Sequence, residues 1–397
     1  FSATGSEPSL QSLTPEQLDE RLLASAKDDQ GTEGALFGSL LTLRHGRDLR
    51  AHARALLQKL DGMPLSSGGR VGDAFRLIAA MHAEGLDFLS AKVLQEALAC
   101  DQTSLQREVL KPLGTEAAAG TGAYIRTRHQ RIAKAVLEIC DDDGEDVEES
   151  YVRLAEAAIS LVRCKGGWLD IVSNWEYTLA QHFFKNHPHL ALKIAEKILE
   201  TVPDNSHFLV NLARLKRKSG DVSGAQKLLE MATPPADNRA FWTEWGTVCG
   251  IQGDYLANAV LLAYSVSDQA GAKIPNRENA TVASSGMAKA FAELHQQFGD
   301  PGLKKARAAC AWLGWKTDSS NGFLKDHRQD CLDISEPASV SEAITWISHG
   351  LASALKSQPL DTSISAKVGD PEKFRYSGLQ RLHERLLSKE RAAMRNV

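Results

Sequence analysis

The chain has 397 residues, 24% of them charged and 43% hydrophobic, with a formal net charge of −4 at pH 7. That length allows two or three domains with buried cores, while the slight acidity gives no general attraction to nucleic acid or to an anionic membrane. Six cysteines (Cys100, Cys140, Cys164, Cys249, Cys310, Cys331) form no CxxC pair, which argues against a zinc site or a disulfide framework and fits reduced thiols in a cytoplasmic protein.

No apolar run approaches the roughly 20 residues that cross a bilayer, so no membrane partner is expected. Residues 1–12, FSATGSEPSLQS, lack an initiator Met and a signal pattern and read as a disordered start to a piece of a longer protein. Over 13–63 a helical domain is expected, opened by Thr14 as cap, Pro15 at the first helical position and Glu16 in the first turn. Leucine-rich stripes at Leu18, Leu22 and Leu23, at Leu36, Phe37, Leu40 and Leu41, and at Leu49, Ala53, Leu56, Leu57 and Leu60 mark its three helices. Pro64 to Gly72, PLSSGGRVG, reads as a linker.

Residues 64–140 are expected to form a winged-helix-like domain. Helical periodicity runs over Phe75–Ala83, Ser90–Leu98 and Ser104–Leu113, then a Gly/Ala-rich turn, Thr115–Gly122, leads to a strand at Ala123–Thr127. In YIRTRHQRIAKAVL, Tyr124 to Leu137, that strand passes into a helix striped by Ile132, Ala133, Val136 and Leu137. Arg126, Arg128, His129 and Arg131 sit at the junction, where such donors can meet a phosphate, nucleic acid or carboxylates of a neighbouring domain. Gln102, Thr103, Gln106 and Arg107 stand where a winged helix would read DNA. Because Glu96, Asp101, Glu108 and Glu116 surround them, nucleic acid is not expected as a partner. The run CDDDGEDVEE from Cys140 holds seven carboxylates in ten positions without EF-hand spacing and reads as an acidic interdomain turn.

A tetratricopeptide-repeat-like helical array is expected over 150–397, clearest at about 174–316. Asn205 to Asp237 carries Leu209, Leu212, Ala213, Gly220, Ala225, Leu229 and Ala232 in the small-residue pattern of a repeat of roughly 34 residues. Trp175, Ala191, Ala195 and Pro203 precede it at corresponding places, and Trp242, Trp245, Gly246, Gly253 and Tyr255 follow. Asn258 stands where alanine is expected, which makes that unit irregular, and a fourth unit over Ala283–Trp315 turns at Gly299 and Asp300. Lys316 to Ser335 reads as a loop, after which helices resume at Ser341–Lys356 and Ser377–Arg395. A helix pair cannot bury its apolar face alone, so such units stack into a solenoid. The fold class is therefore mostly all-α, a winged-helix-like module followed by a tetratricopeptide-type α-solenoid.

A protein or peptide ligand is the expected partner of that array. Trp175, Trp242 and Trp245 are aromatic candidates to line its groove, and Arg214 and Arg217 to clamp acidic groups, although packing and a solvated face fit these residues as well. His182, His187 and His189 are interrupted by Pro188 and lack a carboxylate or Cys at ligand spacing, so no metal is expected. No GxSxG, HExxH or GxxxxGK[ST] occurs, so no catalytic residue or bound cofactor is assigned and the chain is not expected to be an enzyme.

Two stretches carry a family resemblance. LFGSLLTLRHGRDLRAHARALLQKL resembles the helical segment after the ATPase core of STAND NTPases, bacterial relatives of nucleotide-binding immune receptors. The RHxxIA pattern in YIRTRHQRIAKAVL resembles the end of their winged helix. The likeness covers essentially the whole chain. It implies an upstream NTPase domain that binds ATP or ADP with Mg, an N-terminal effector, and a repeat sensor whose trigger, such as a phage protein, controls oligomerisation in antiviral defence. It also implies that His129, helped by Arg126 and Arg128, senses the nucleotide phosphate, although the Walker motif itself is missing here. The expected role is the non-catalytic sensor and regulatory portion of a STAND-type switch. The alternatives are a freestanding tetratricopeptide adaptor and a winged-helix transcription regulator.

Overall fold

Short polar residues mark where extended chain turns into helix. Ser90, Asn205, Asp221, Asp254, Asn276 and Ser339 each accept a backbone N–H of the first turn with a side-chain oxygen, which satisfies donors that have no partner within the helix. The computed structural model describes residues 49–86, 89–121, 124–165, 180, 182–234 and 237–395. The helices expected before residue 49, and Trp175, lie outside the described residues. The chain divides into two compact units, 1–202 and 203–397.

In the first unit, α1 (Leu49–Asp61), α2 (Val71–Ala83) and α3 (Ala91–Ala97) lead to α4 (Gln102–Ser104). A π-helical turn, Leu105–Leu110, carries the chain on into α5 (Lys111–Ala117). Two antiparallel strands follow, β1 (Ala118–Thr121) and β2 (Tyr124–Thr127), in a register that sets Ala118 opposite Thr127 and Thr121 opposite Tyr124. Ser90 adds a single bridge to Tyr124, and the Ile125 N–H donates to Leu89 O at 2.8 Å. α6 (Gln130–Asp142), α7 (Val147–Lys165) and α8 (Pro188–Thr201) complete the unit. Its centre is α2, whose Phe75, Leu77, Ile78 and Met81 are buried where the helix packs against α1, α6, α7 and β2.

Two expectations change here. Thr115–Gly122 is not a turn, since its first residues finish α5 and the next four form β1; ladder bonds to β2 outweigh the weak strand preference of Ala and Gly. The acidic run is not an interdomain turn either. Asp142 pairs with Arg50 and Asp143 with Arg54 of α1, Glu145 meets Arg76 of α2 at 2.7 Å, and Asp146 lies 3.5 Å from Lys193 of α8. These carboxylates hold helices of one unit together, and α7 beyond them packs on α3 and α8, so the unit boundary falls at Val202 and not near residue 150.

The second unit is a run of helix pairs: α9 (Ser206–Lys218) with α10 (Val222–Met231), α11 (Arg239–Ile251) with α12 (Tyr255–Val266), and α13 (Arg277–Phe298) with α14 (Pro301–Thr317). The pairs turn at Gly220 (φ 93°), Gly253 (φ 86°) and Gly299 (φ 71°), backbone angles that favour glycine. α9, α11 and α13 pack in succession, and one continuous core runs through Trp245, Phe291 and Leu351. α15 (Gly322–Gln329) lies inside the segment expected as a loop; Asn321 caps it, and Leu324, fully buried, fastens it. After α16 (Val340–Ser357) come α17 (Thr362–Val368), a 3-10 turn at Pro371–Lys373 and α18 (Ser377–Arg395). This closing segment returns to the earlier repeats. Lys367 Nζ donates to Glu230 O and to Ala232 O, Phe374 meets Tyr264 edge-on at 5.2 Å, and Asp268 accepts N–H bonds from Ser377 and Gly378. The mostly helical, solenoid-type class expected from the sequence is the one these residues adopt.

Candidate functional site

The residues singled out for recognition are largely turned inward. Arg214 and Arg217 stand one turn apart on α9 and both face Glu244 of α11. Arg217 meets both carboxylate oxygens of Glu244, and Arg214 Nε lies 3.5 Å from Oε2. Glu244 is only 4% exposed, and a carboxylate withdrawn from water needs opposing charge to stay ionised. The two arginines therefore serve this internal pair, which corrects their reading as a clamp for a partner. Trp242 and Trp245 are likewise core residues and not groove-facing ones. Trp242 stacks with Trp245 and meets Tyr264 edge-on at 4.6 Å, while Lys367 Nζ sits 4.9 Å from the Trp245 ring. Large rings bury too much apolar area to be left in water when helices converge on them.

At the other candidate site, His129 is buried and caps α6, its Nδ1 accepting the Arg131 N–H at 3.1 Å. The Thr127 hydroxyl donates to His129 O at 3.0 Å and also meets Nδ1 of His82. Arg126 and Arg128 are exposed on either side. His182 pairs with Glu84 at 3.0 Å, and no group of three potential metal ligands occurs among the described residues. Burial pushes the thiols of Cys249 and Cys310 upward, so neither is a thiolate nucleophile.

What the sequence did not single out is a cleft of about 400 Å³ among α11, α12, α13 and the start of α15. Two glycines shape it. A Cβ on Gly286 would lie 2.2 Å from Leu262 Cδ1, and one on Gly250 would lie 2.6 Å from Asn258 Nδ2. Without side chains there, three helices approach one another around Leu262 and Asn258. The rim carries Ile251, Val282 and Phe323, which are 52%, 41% and 44% exposed. Large apolar side chains exposed together on one surface point to an interaction site.

The cleft also carries polar groups with unused capacity. Asn258 is 5% exposed and donates from Nδ2 to Gly246 O at 2.6 Å, while its Oδ1 has no hydrogen-bond partner among the described residues. The buried Ser285 Oγ has none either. Lys289 is exposed on the lining and pairs with no carboxylate among the described residues. Asn258 is the residue that makes its repeat irregular in sequence, a signal that could have led to this cleft.

Residues 186–243 match a tetratricopeptide repeat family model. That segment is similar to tetratricopeptide repeats. A crystal structure of a STAND signal-transduction ATPase with a tetratricopeptide repeat sensor, from Pyrococcus horikoshii, is 13% identical, with 97% of this chain and 58% of that chain covered and a TM-score of 0.35, too low to equate the folds. The chain thus spans 58% of the length of that protein. No curated protein matches it.

Proposed function

We propose that this chain is the non-catalytic sensor and regulatory portion of a STAND-type switch, and that the cleft of its second unit binds a protein partner, the trigger. The observation that carries the reading is the convergence of exposed Ile251, Val282 and Phe323 on one cleft. The tetratricopeptide similarity supports a protein as the ligand, because stacked helix pairs offer extended binding surfaces. The STAND assignment rests on the residues of the helical block and of YIRTRHQRIAKAVL. It is supported by the order helix, bridge, helix, helix, hairpin in the first unit, which follows the plan of a winged helix.

In this reading an upstream NTPase domain holds ATP or ADP with Mg, and His129, with Arg126 and Arg128, senses its phosphates. Trigger binding shifts the switch toward an oligomerising state by its differential affinity for the two states. A phage protein encountered in the cytoplasm is the proposed trigger.

The test is titration of the purified chain with individually purified phage proteins. One of them is expected to bind at a stoichiometry of one and to lose binding to Val282→Arg, a change at an exposed position that leaves the circular dichroism spectrum intact. A panel in which no protein distinguishes wild type from Val282→Arg would remove the cleft as the recognition site.

A further inference from the structure

The polar groups of the cleft say what kind of side chain belongs in it. Its walls are apolar at Ile251, Leu262, Val282 and Phe323, yet Asn258 Oδ1 and Ser285 Oγ both lack a hydrogen-bond partner among the described residues. Leaving a buried polar group unpaired costs free energy, so the Ser285 hydroxyl on this apolar cleft is matched to a ligand that supplies the missing bond, with Asn258 Oδ1 as a second, unpartnered acceptor on the same lining. Asn258 Oδ1 can only accept, whereas the Ser285 hydroxyl has a proton to give. A group that donates once and accepts once answers both. A phenol hydroxyl does this, donating to Asn258 and accepting from Ser285. An indole N–H donates and cannot accept, and a phenyl ring does neither.

Resting on the reading of the cleft as the partner site, we infer that it receives a tyrosine side chain of the protein partner, with an aspartate or glutamate of the same segment meeting Lys289. The aromatic ring suits the apolar walls, and a cavity of about 400 Å³ holds one large side chain with neighbouring backbone. Lys289, exposed and without a carboxylate partner among the described residues, supplies the charge complementarity. A peptide, and not a free small molecule, is the source that also covers Ile251 and Phe323 on the rim.

The experiment uses three probes on the full chain, followed by isothermal titration and by amide chemical shifts: p-hydroxyphenylpropionate, phenylpropionate and p-hydroxyphenylpropionamide. The hydroxylated acid binds tightest; loss of the hydroxyl weakens it roughly fivefold to tenfold, and loss of the acid weakens it by about threefold. In Ser285→Ala the preference for the hydroxylated acid over phenylpropionate shrinks, and in Lys289→Gln the acid and the amide bind alike. Equal binding of the first two probes to the wild type, or a hydroxyl preference that Ser285→Ala leaves undiminished, would overturn the inference. If a protein partner is still lost in Val282→Arg while no hydroxyl preference exists, the cleft remains the recognition site and only the tyrosine assignment falls. If the hydroxylated acid binds but no protein partner competes with it, the assignment to a protein segment falls.

Discussion

Arg217 and Glu244 form a two-point ion pair between α9 and α11, with Arg217 Nη2 at 3.3 Å from Glu244 Oε2 and the carboxylate almost wholly buried. The pair fixes the packing of two successive repeats. Glu244→Ala leaves two arginines facing a low-dielectric gap and should cost about 3 kcal/mol, whereas Arg214→Ala, removing the more exposed and more distant arginine, should cost less than about 1 kcal/mol. Urea unfolding of the two variants measures this. Equal losses would show that Arg217 is not the principal partner.

Acid should weaken the fold through His383. This imidazole is 1% exposed, its Nε2 has no hydrogen-bond partner among the described residues, and burial pushes its pKa down to about 4. The unfolded value is near 6.5, so the unfolded chain takes up the proton first. Stability is therefore complete above about pH 6.5 and falls as pH drops toward about 4, by up to about 3 kcal/mol. His383→Leu should flatten this part of the pH profile. An unchanged slope in that variant would place the titration elsewhere.

The glycine floor of the cleft separates packing from recognition. Gly286→Ala forces a methyl against Leu262 Cδ1, at 2.2 Å before any adjustment, and should cost about 1 to 3 kcal/mol while also weakening the partner. Phe323→Ala, at the exposed rim, should weaken the partner by tenfold or so with a stability change under about 1 kcal/mol. Paired thermal melts and titrations distinguish the two effects.

Asp268 anchors the start of α18 by accepting N–H bonds from Ser377 at 3.0 Å and Gly378 at 2.8 Å. Partial burial opposes ionisation, but these bonds, with the Ser377 hydroxyl, prevail and hold its pKa below the usual carboxylate range. Its contribution is present above the unfolded value of about 3.9 and is lost as pH falls through the lower folded value. Asp268→Ala should cost about 1 to 2 kcal/mol and speed hydrogen exchange over residues 371–382 at pH 7. Unaltered exchange there would mean that the contact is incidental.

Local chemistry made much of the fold legible. Asn205, Asp221 and Asn276 begin helices as their types suggest, and Gly220, Gly253 and Gly299 end them. The bounds of α18 follow directly from the stripe of Leu379, Leu382 and Leu386. What was not legible depends on contacts between distant residues. Nothing near Arg217 in sequence names Glu244, 27 positions away, and a basic run on a helix looks the same whether it faces water or a buried acid. Trp242 and Trp245 have a composition that suits a core and a groove equally. Ile251, Val282 and Phe323 each look like ordinary stripe residues, and only the convergence of three helices with the start of α15 brings them to one rim. Asn258 was visible as an anomaly, but its meaning required the glycines that surround it.

The return of the closing segment has a consequence for how the second unit comes into being. Lys367 reaches carbonyls 135 and 137 positions earlier, and Ser377 reaches back 109. An ordinary repeat array is an open rod in which each layer leans only on the next and can be lengthened or shortened a layer at a time. Here the last helices are tied to the earlier ones by contacts that skip the layers between. On the ribosome α9 to α12 emerge long before the residues that cover them, and such long-range closure slows folding. The unit should then melt in a single step, and removing the residues after 357 should unsettle α12 as well as the neighbouring α16.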